Sequence, residues 1–148
     1  MTKAGIYIHI PFCTSKCKYC DFYSLEQREE EMPHFVDMLI REIELTSHDY
    51  NEDWTFDTIF FGGGTPSIME PQWLKKMLHA LNRFFDISNV TEITLEANPG
   101  EVPKQQLKQF RNIGINRLSI GFQSLQTNLL TRLSRIHNPK DCFNIYHD

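Results

Sequence analysis

Apolar and polar residues alternate in three stretches of the chain, 5–10, 91–97 and 116–122. A period of two is typical of a β-strand with one buried face. A fourth stretch, 57–61, is mostly apolar and is followed at once by a run of glycines, which is typical of a buried strand that ends in a turn. The pattern therefore predicts four strands.

Between these strands the apolar residues recur every three or four positions, as they do on one face of an α-helix. This spacing predicts helices from 26 to about 47, from 71 to 85 and at 103–114, where the last residue is a glycine suited to a C′ cap. One or two further helical turns are predicted at 125–133. Helices therefore alternate with the predicted strands.

Strands that alternate with helices predict a parallel sheet with helical crossovers. We therefore expect an α/β fold, a partial (βα) barrel with about four parallel strands, in a single domain over residues 1–148. Asn138 and Pro139 form an N-cap and N1 pair that starts one more helix. That helix has room for about three turns before Asp148. The expectation is a C-terminally truncated piece of a longer protein that lacks later strands.

The composition narrows the classes of function. The chain has 148 residues, of which 41% are hydrophobic and 23% charged, as in ordinary globular domains. With 15 Lys and Arg against 19 Asp and Glu, the net charge of −4 gives no reason to expect nucleic-acid or anionic-membrane binding. No apolar run approaches transmembrane length, and the N-terminus has no apolar signal segment. These features predict a cytoplasmic, reducing location.

The carboxyl ends of the predicted strands concentrate residues that can bind a ligand. In barrel-type α/β folds the active site lies at these ends. The four strands end in turn in a cysteine-rich stretch, a glycine run, the pair Glu96 and Asn98, and Gln123. The polar residues of the alternating strands also share one face that the aliphatic residues avoid, namely Tyr7, His9, Thr94, Glu96, Ser119 and Gln123. The sequence therefore predicts a site at this edge of the sheet.

Three of the four cysteines, Cys13, Cys17 and Cys20, follow the first strand at C-x3-C-x2-C spacing. Thiolates this close together can converge on one metal centre if the loop curls around it. Iron–sulfur clusters are held by cysteine thiolates, usually four of them. A loop that supplies three leaves one iron open to a small molecule.

The cysteines also allow three other interpretations. A structural zinc site needs four ligands, and only Cys142 or a histidine such as His9 would complete the set. A disulfide framework suits small secreted chains, and unconnected thiols occur in the cytosol. The clustering of three cysteines favours the iron–sulfur interpretation. We expect Cys142 to be a buried free thiol and His9 a hydrogen-bonded residue of the barrel interior.

The C-x3-C-x2-C stretch after a first strand resembles the signature of the radical S-adenosylmethionine (SAM) superfamily. Several strings resemble more closely the oxygen-independent coproporphyrinogen III oxidase group, namely Tyr7–Cys13, Cys20–Phe22, Gly62–Ser67, Glu96–Gly100, Ser119–Ser124 and Arg135–Asn138. The resemblance implies a [4Fe–4S] cluster on Cys13, Cys17 and Cys20, with SAM at the open iron and a 5′-deoxyadenosyl radical from its cleavage. The resemblance implies no particular catalytic residue.

The resemblance also implies which residues contact SAM: Tyr7, Tyr19, Gly63, Gly64, Thr65, Glu96, Gln123 and Arg135. The glycine run would let backbone amides approach the SAM amino group, although such a run is often only a turn. Glu96 is expected at the ribose hydroxyls, with a surface carboxylate as its alternative. Arg135 is expected at the SAM carboxylate, with a solvated helix charge as its alternative.

Phe22 separates two branches of this group. Coproporphyrinogen dehydrogenases continue the motif to C-x3-C-x2-C-x-C, whereas Phe22 stands here at the position of the last cysteine. The Cys20-Asp21-Phe22 form resembles the HemW-type heme chaperones, which implies heme as cargo, a heme-acceptor protein as partner, and membrane contact only through that acceptor. The alternatives are a coproporphyrinogen III dehydrogenase, which would decarboxylate its substrate oxidatively, and a truncated product without activity.

Overall fold

A computed structural model describes residues 2–50 and 54–148 of the chain. Its strands are β1 (Thr2–Ile10), β2 (Phe12–Cys13), β3 (Leu25–Glu26), β4 (Trp54–Gly63), β5 (Glu92–Ala97) and β6 (Arg117–Ile120). Four of them form a parallel sheet in the order β1-β4-β5-β6. The predicted α/β fold with four parallel strands is confirmed.

The helices are α1 (Met32–Tyr50), α2 (Pro71–Phe84), α3 (Lys104–Asn112), α4 (Thr127–Arg132) and α5 (Pro139–His147). Each crossover between neighbouring strands of the sheet contains at least one of them. Gly114 follows α3 with φ +108°, as expected of a left-handed C′ residue. The side chain of Asn138 accepts hydrogen bonds from the amides of Lys140 and Asp141 at the start of α5, which confirms the predicted cap.

The first helix begins later than the sequence predicts. The prediction started it at 26, but β3 occupies Leu25–Glu26, and an exposed 3-10 turn covers Glu29–Glu31 before α1. Gln27, between them, has φ +53°, a left-handed conformation that no α-helix accommodates. The chain is held extended at 25–26 because it pairs with β2.

One face of the sheet belongs to the hydrophobic core. Ile10, Ile59, Phe61 and Leu95 are fully buried in one cluster, which also includes side chains of the helices, such as Leu74 of α2. Burial of a large aliphatic or aromatic side chain is worth about 1.5–3 kcal/mol. These contacts pack the strands against the helices beneath the predicted site.

The opposite face remains partly open. The strand at 57–61, which the sequence predicts to be buried, is buried mainly on one face. On its other face the ring of Phe60 stacks on that of Tyr7, with the ring centroids 6.0 Å apart. The last strand, β6, ends at Ile120 and not at the predicted residue 122. Three residues after Ile120, Gln123 adopts a left-handed conformation with φ +61°. The chain therefore turns away from the sheet close to the predicted site.

Candidate functional site

A cleft of about 660 Å³ lies at the carboxyl ends of the four parallel strands. Ten of the eleven predicted site residues line it: Cys13, Cys17, Tyr19, Cys20, Gly63, Gly64, Thr65, Glu96, Gln123 and Arg135. They come from the ends of three strands, the loop after β1 and the segments after β6. The structure thus brings together residues that are up to 122 positions apart, as the separation of Cys13 and Arg135 shows.

Tyr7 is the one predicted residue that does not line this cleft. It lies on the open face of β1, where its hydroxyl is 3.1 Å from Nδ1 of His9 and its ring stacks on Phe60. Nε2 of His9 is in turn 2.9 Å from the carbonyl oxygen of Tyr23, so the expectation of a hydrogen-bonded His9 is confirmed. Burial raises the pKa of Tyr7, and the nearby Glu96 carboxylate raises it further.

The cysteine loop is shaped by the short parallel pair of β2 and β3. The amide of Leu25 donates to the carbonyl oxygen of Pro11 at 2.6 Å, and the amide of Gln27 donates to that of Cys13 at 3.2 Å. These bonds bring the two ends of the loop together. Within the loop, the amide of Cys20 donates to the carbonyl oxygen of Cys17 at 3.0 Å. The backbone therefore forms a closed loop that contains a turn between Cys17 and Cys20.

All four cysteines are free. Cys13 is buried, while Cys17 and Cys20 are partly exposed to the cleft. Burial raises the pKa of the Cys13 thiol, whereas hydrogen bonds with the hydroxyls of Thr65 and Ser24 act in the opposite direction. Cys142 is fully buried in α5, which confirms the expectation of a buried free thiol.

Within residues 2–50 and 54–148, no three His, Cys, Asp or Glu side chains are close enough to hold one metal ion. A cluster sets a different requirement, because each thiolate binds a separate iron. The surroundings of the thiols fit such a group. Thr65 Oγ1 donates to Cys13 Sγ at 3.8 Å and Arg135 Nη1 donates to Cys17 Sγ at 3.4 Å, and donors of this kind stabilise sulfur ligands.

The glycine run permits close approach of the backbone to the cysteine loop. A Cβ at Gly64 would collide with the carbonyl oxygen of Phe12 and lie 2.9 Å from Cys13 Sγ. Gly63 has φ +116°, a conformation that favours glycine. The amides of Gly64 and Thr65 donate to the carbonyl oxygens of Ile10 and Phe12 at 2.8 and 2.7 Å. The run therefore joins the end of β4 to the cysteine loop, in addition to lining the cleft.

Arg135 is partly buried at the cleft and is not a solvated helix charge. Its Nη2 donates to Asn98 Oδ1 at 2.5 Å and to the carbonyl oxygen of Gly121 at 2.8 Å. Asn98 Nδ2 donates in turn to Thr65 Oγ1 at 3.0 Å. The sequence predicts Asn98 at the same strand end as Glu96 but assigns it no contact with a ligand, because its strand-end position is the one signal available there.

The parallel α/β fold and the three thiols beside its strand ends indicate the same superfamily as a comparison of the sequence with models of protein families. The sequence model of the radical SAM superfamily matches residues 7–146. The chain belongs to this superfamily.

Among its relatives is the heme chaperone HemW of Buchnera aphidicola subsp. Acyrthosiphon pisum, with 39% identity over 141 residues, 95% of this chain and 37% of that protein. The heme chaperone HemW of Escherichia coli is 38% identical over 139 residues, 93% of this chain and 36% of its own length. The fold matches E. coli coproporphyrinogen III oxidase (HemN), a radical SAM enzyme, with a TM-score of 0.84, 25% identity, and coverage of 97% of this chain and 33% of HemN. The chain spans a little over a third of the length of these chaperones.

None of the helices within residues 2–50 and 54–148 is long and apolar enough to cross a membrane.

Proposed function

We propose that this chain is the radical SAM portion of a HemW-type heme chaperone, which binds a [4Fe–4S] cluster, SAM and heme and passes the heme to an acceptor protein. The observation that carries the proposal is the convergence of Cys13, Cys17 and Cys20 with seven further predicted residues on one cleft at the strand ends. Cytoplasmic location, and membrane contact only through the acceptor, belong to the same proposal.

The three cysteines would hold the cluster, and the rest of the cleft would hold SAM. Glu96 and Gln123 are suited to hydroxyl groups, and Tyr19 to an apolar face of the ligand, since all three line the cleft. When bound, the reduced cluster and SAM supply one-electron chemistry, which belongs to the cofactors. The residues of the chain bind, orient and shield these groups.

Phe22 favours the chaperone over an oxidase. Its side chain lies at the rim of the cleft and is 68% exposed, where the oxidases are expected to carry a fourth motif cysteine. The relatives named as heme chaperones are also more similar in sequence, at 38–39% identity, than the oxidase of known structure at 25%. Heme binding fits the exposed aromatic side chains of Phe22 and Tyr23, which follow the last cysteine of the loop.

The second candidate is an oxygen-independent coproporphyrinogen III dehydrogenase. It is favoured by the close match in fold to the coproporphyrinogen III oxidase of E. coli, with a TM-score of 0.84. This function would require consumption of SAM as propionate groups are converted to vinyl groups, whereas a chaperone binds heme without changing it.

One set of anaerobic measurements separates these functions. Iron and sulfide are assayed after reconstitution, EPR spectra of the reduced protein are recorded with and without SAM, and heme is titrated while the Soret band is followed. The proposal expects about four irons per chain, a spectrum that SAM perturbs, a heme-dependent Soret band and heme transfer to an apo heme protein. Absence of a Soret change in the complete protein would refute the chaperone, and vinyl porphyrin formed from coproporphyrinogen III would establish the dehydrogenase.

A further inference from the structure

We propose that Asn98 is a positioning residue that orients hydrogen-bond donors onto the sulfur atoms of Cys13 and Cys17 and thereby raises the reduction potential of the cluster. The inference rests on the proposed function to the extent that these cysteines hold a cluster. It assigns a role to a residue that neither the cysteine motif nor the predicted SAM contacts include.

A continuous chain of hydrogen bonds links the two sulfur atoms through Asn98. Thr65 Oγ1 donates to Cys13 Sγ at 3.8 Å, and Asn98 Nδ2 donates to Thr65 Oγ1 at 3.0 Å. On the other side, Arg135 donates to Asn98 Oδ1 at 2.5 Å through Nη2 and to Cys17 Sγ at 3.4 Å through Nη1. Asn98 is thus the central member of a bridge between two strand ends and the segment after α4.

The direction of every bond follows from the chemistry of the groups. A guanidinium has only donors, so Arg135 must face the oxygen of the Asn98 amide. The amide nitrogen of Asn98 then faces Thr65 and occupies a lone pair of its hydroxyl. The hydroxyl proton of Thr65 is left to point at Cys13 Sγ. One planar side chain with a donor and an acceptor is therefore needed at position 98.

Asn98 also restricts the orientation of Arg135. Nη2 has two protons, and both are used, one by Asn98 Oδ1 and the other by the carbonyl oxygen of Gly121 at 2.8 Å. Nε is buried and has no hydrogen-bond partner among the residues that the structure describes. The guanidinium is therefore fixed by its Nη2 end, and this leaves Nη1 aimed at Cys17.

Hydrogen bonds to the sulfur ligands are one of the determinants of cluster potential. A donor stabilises the reduced cluster more than the oxidised one, because reduction adds negative charge at the sulfur atoms. Loss of Asn98 should loosen both donors and lower the potential. Partners of metal ligands also contribute to retention of the metal, and their loss typically costs about 10- to 100-fold in affinity.

The test compares the full chain with two variants, Asn98→Leu and Asn98→Ser, neither of which changes the net charge. Leucine has a similar shape without polar atoms, and serine is polar but too short to reach both partners. The midpoint potential is measured by EPR-monitored redox titration without SAM, and cluster loss to an iron chelator is timed. We expect lower potentials in both variants and about tenfold faster loss.

Asn116→Leu is the matched control. Asn116 also bridges two strands, since Oδ1 accepts from the amide of Ile93 at 2.8 Å and Nδ2 donates to the carbonyl oxygen of Thr91 at 2.8 Å. It lies at the opposite end of β5, away from the cleft. We expect Asn116→Leu to lower stability while the potential stays at the wild-type value.

A double-mutant cycle tests whether Asn98 acts through its neighbour. Thr65→Val removes the hydroxyl and keeps the shape of the side chain. If the bridge exists, the shift caused by Asn98→Leu will be smaller in the Thr65→Val background than in the wild type, because one arm is already lost. Equal shifts in the two backgrounds would contradict coupling through Thr65.

The outcomes separate this inference from the proposed function. A wild-type chain that assembles no cluster contradicts the proposed function. A cluster whose potential is the same in wild type and both Asn98 variants overturns the inference alone. If Asn98→Leu and Asn98→Ser both lose the native circular dichroism spectrum while Asn116→Leu keeps it, Asn98 is required for folding. The inference is then likewise overturned.

Discussion

The carboxylate of Glu96 accepts a hydrogen bond from the backbone amide of Gly63, with 3.1 Å between Oε2 and the amide nitrogen. This bond ties the end of β5 to the end of β4 at the floor of the cleft. It uses one oxygen of Glu96, and the other oxygen remains available to a ligand. Burial raises the pKa of Tyr7 on the open face of the sheet, and the negative charge of the Glu96 carboxylate raises it further.

Glu96→Gln should weaken SAM binding with little change in stability. Glutamine still accepts from the amide of Gly63, but a neutral amide is a weaker acceptor for hydroxyl groups than a carboxylate. We expect the dissociation constant for SAM to rise about tenfold, equal to about 1.4 kcal/mol, in anaerobic calorimetry. Glu92→Gln is the control on the same strand, because Glu92 lies at the far end beside Arg117. An unchanged affinity in Glu96→Gln would contradict the predicted contact.

Replacement of single cysteines should distinguish the cysteines that bind the cluster from Cys142, which does not. Cys13→Ala, Cys17→Ala or Cys20→Ala should abolish or strongly reduce the iron and sulfide content after reconstitution, because the loop supplies only three thiolates. Cys142→Ala is the control, since Cys142 is fully buried in α5 and should leave the iron content at the wild-type level. Iron loss in Cys142→Ala, with native circular dichroism, would point to a fourth protein ligand.

The sequence predicts the strand ends well because their signals are local. A period of two, a glycine run and the rule that parallel strands end at one edge were enough to bring Cys13, Gly63 and Glu96 together. Side-chain parity also placed Tyr7 on the open face, but it could not show that its ring would stack on Phe60 outside the cleft.

The sequence could not predict features that depend on pairing between distant segments. Strands β2 and β3 have two residues each, which is too short for any periodicity. Their pairing therefore leaves no signal in the sequence, and the helical spacing predicts too early a start for the first helix. The bridge through Asn98 joins residues 33 and 37 positions away. Only the folded sheet brings these side chains together.

Gly64→Ala should damage both stability and cluster assembly. The added methyl group would collide with the carbonyl oxygen of Phe12 and lie 2.9 Å from Cys13 Sγ, so the cysteine loop must shift. Overpacking of this kind costs about 1–3 kcal/mol, which denaturant unfolding of the metal-free chain measures. We also expect lower iron content after reconstitution.

Gly114→Ala provides the comparison for Gly64→Ala. Gly114 also resists substitution, because it has φ +108°, but its added Cβ would meet only Ile93 Cδ1 at 3.7 Å. This variant should lose stability through backbone strain and keep its iron. Equal loss of iron in the two variants would show that reduced stability alone prevents assembly, and that the approach of Gly64 to Cys13 has no specific role.

Acidification should destabilise the metal-free chain partly through His137. Its side chain is 5% exposed, and burial lowers its pKa, with Arg135 acting in the same direction; the carbonyl oxygen of Phe122, Asp141 and Glu101 act in the opposite direction. The unfolded state therefore binds more protons, so stability falls as the pH drops from about 7 through the unfolded value of about 6.5 toward the lower native value.

His137→Gln should make this loss of stability shallower between about pH 7 and pH 5, a window above the range in which ordinary carboxyl groups titrate. Glutamine can still donate to the carbonyl oxygen of Phe122, which lies 3.1 Å from Nε2 of His137, but it cannot take up a proton. Denaturant unfolding at a series of pH values measures the slope. His34→Gln, at an exposed position near the start of α1, should keep the wild-type slope. If His137→Gln keeps it too, then the pH dependence arises from other groups and His137 has no part in it.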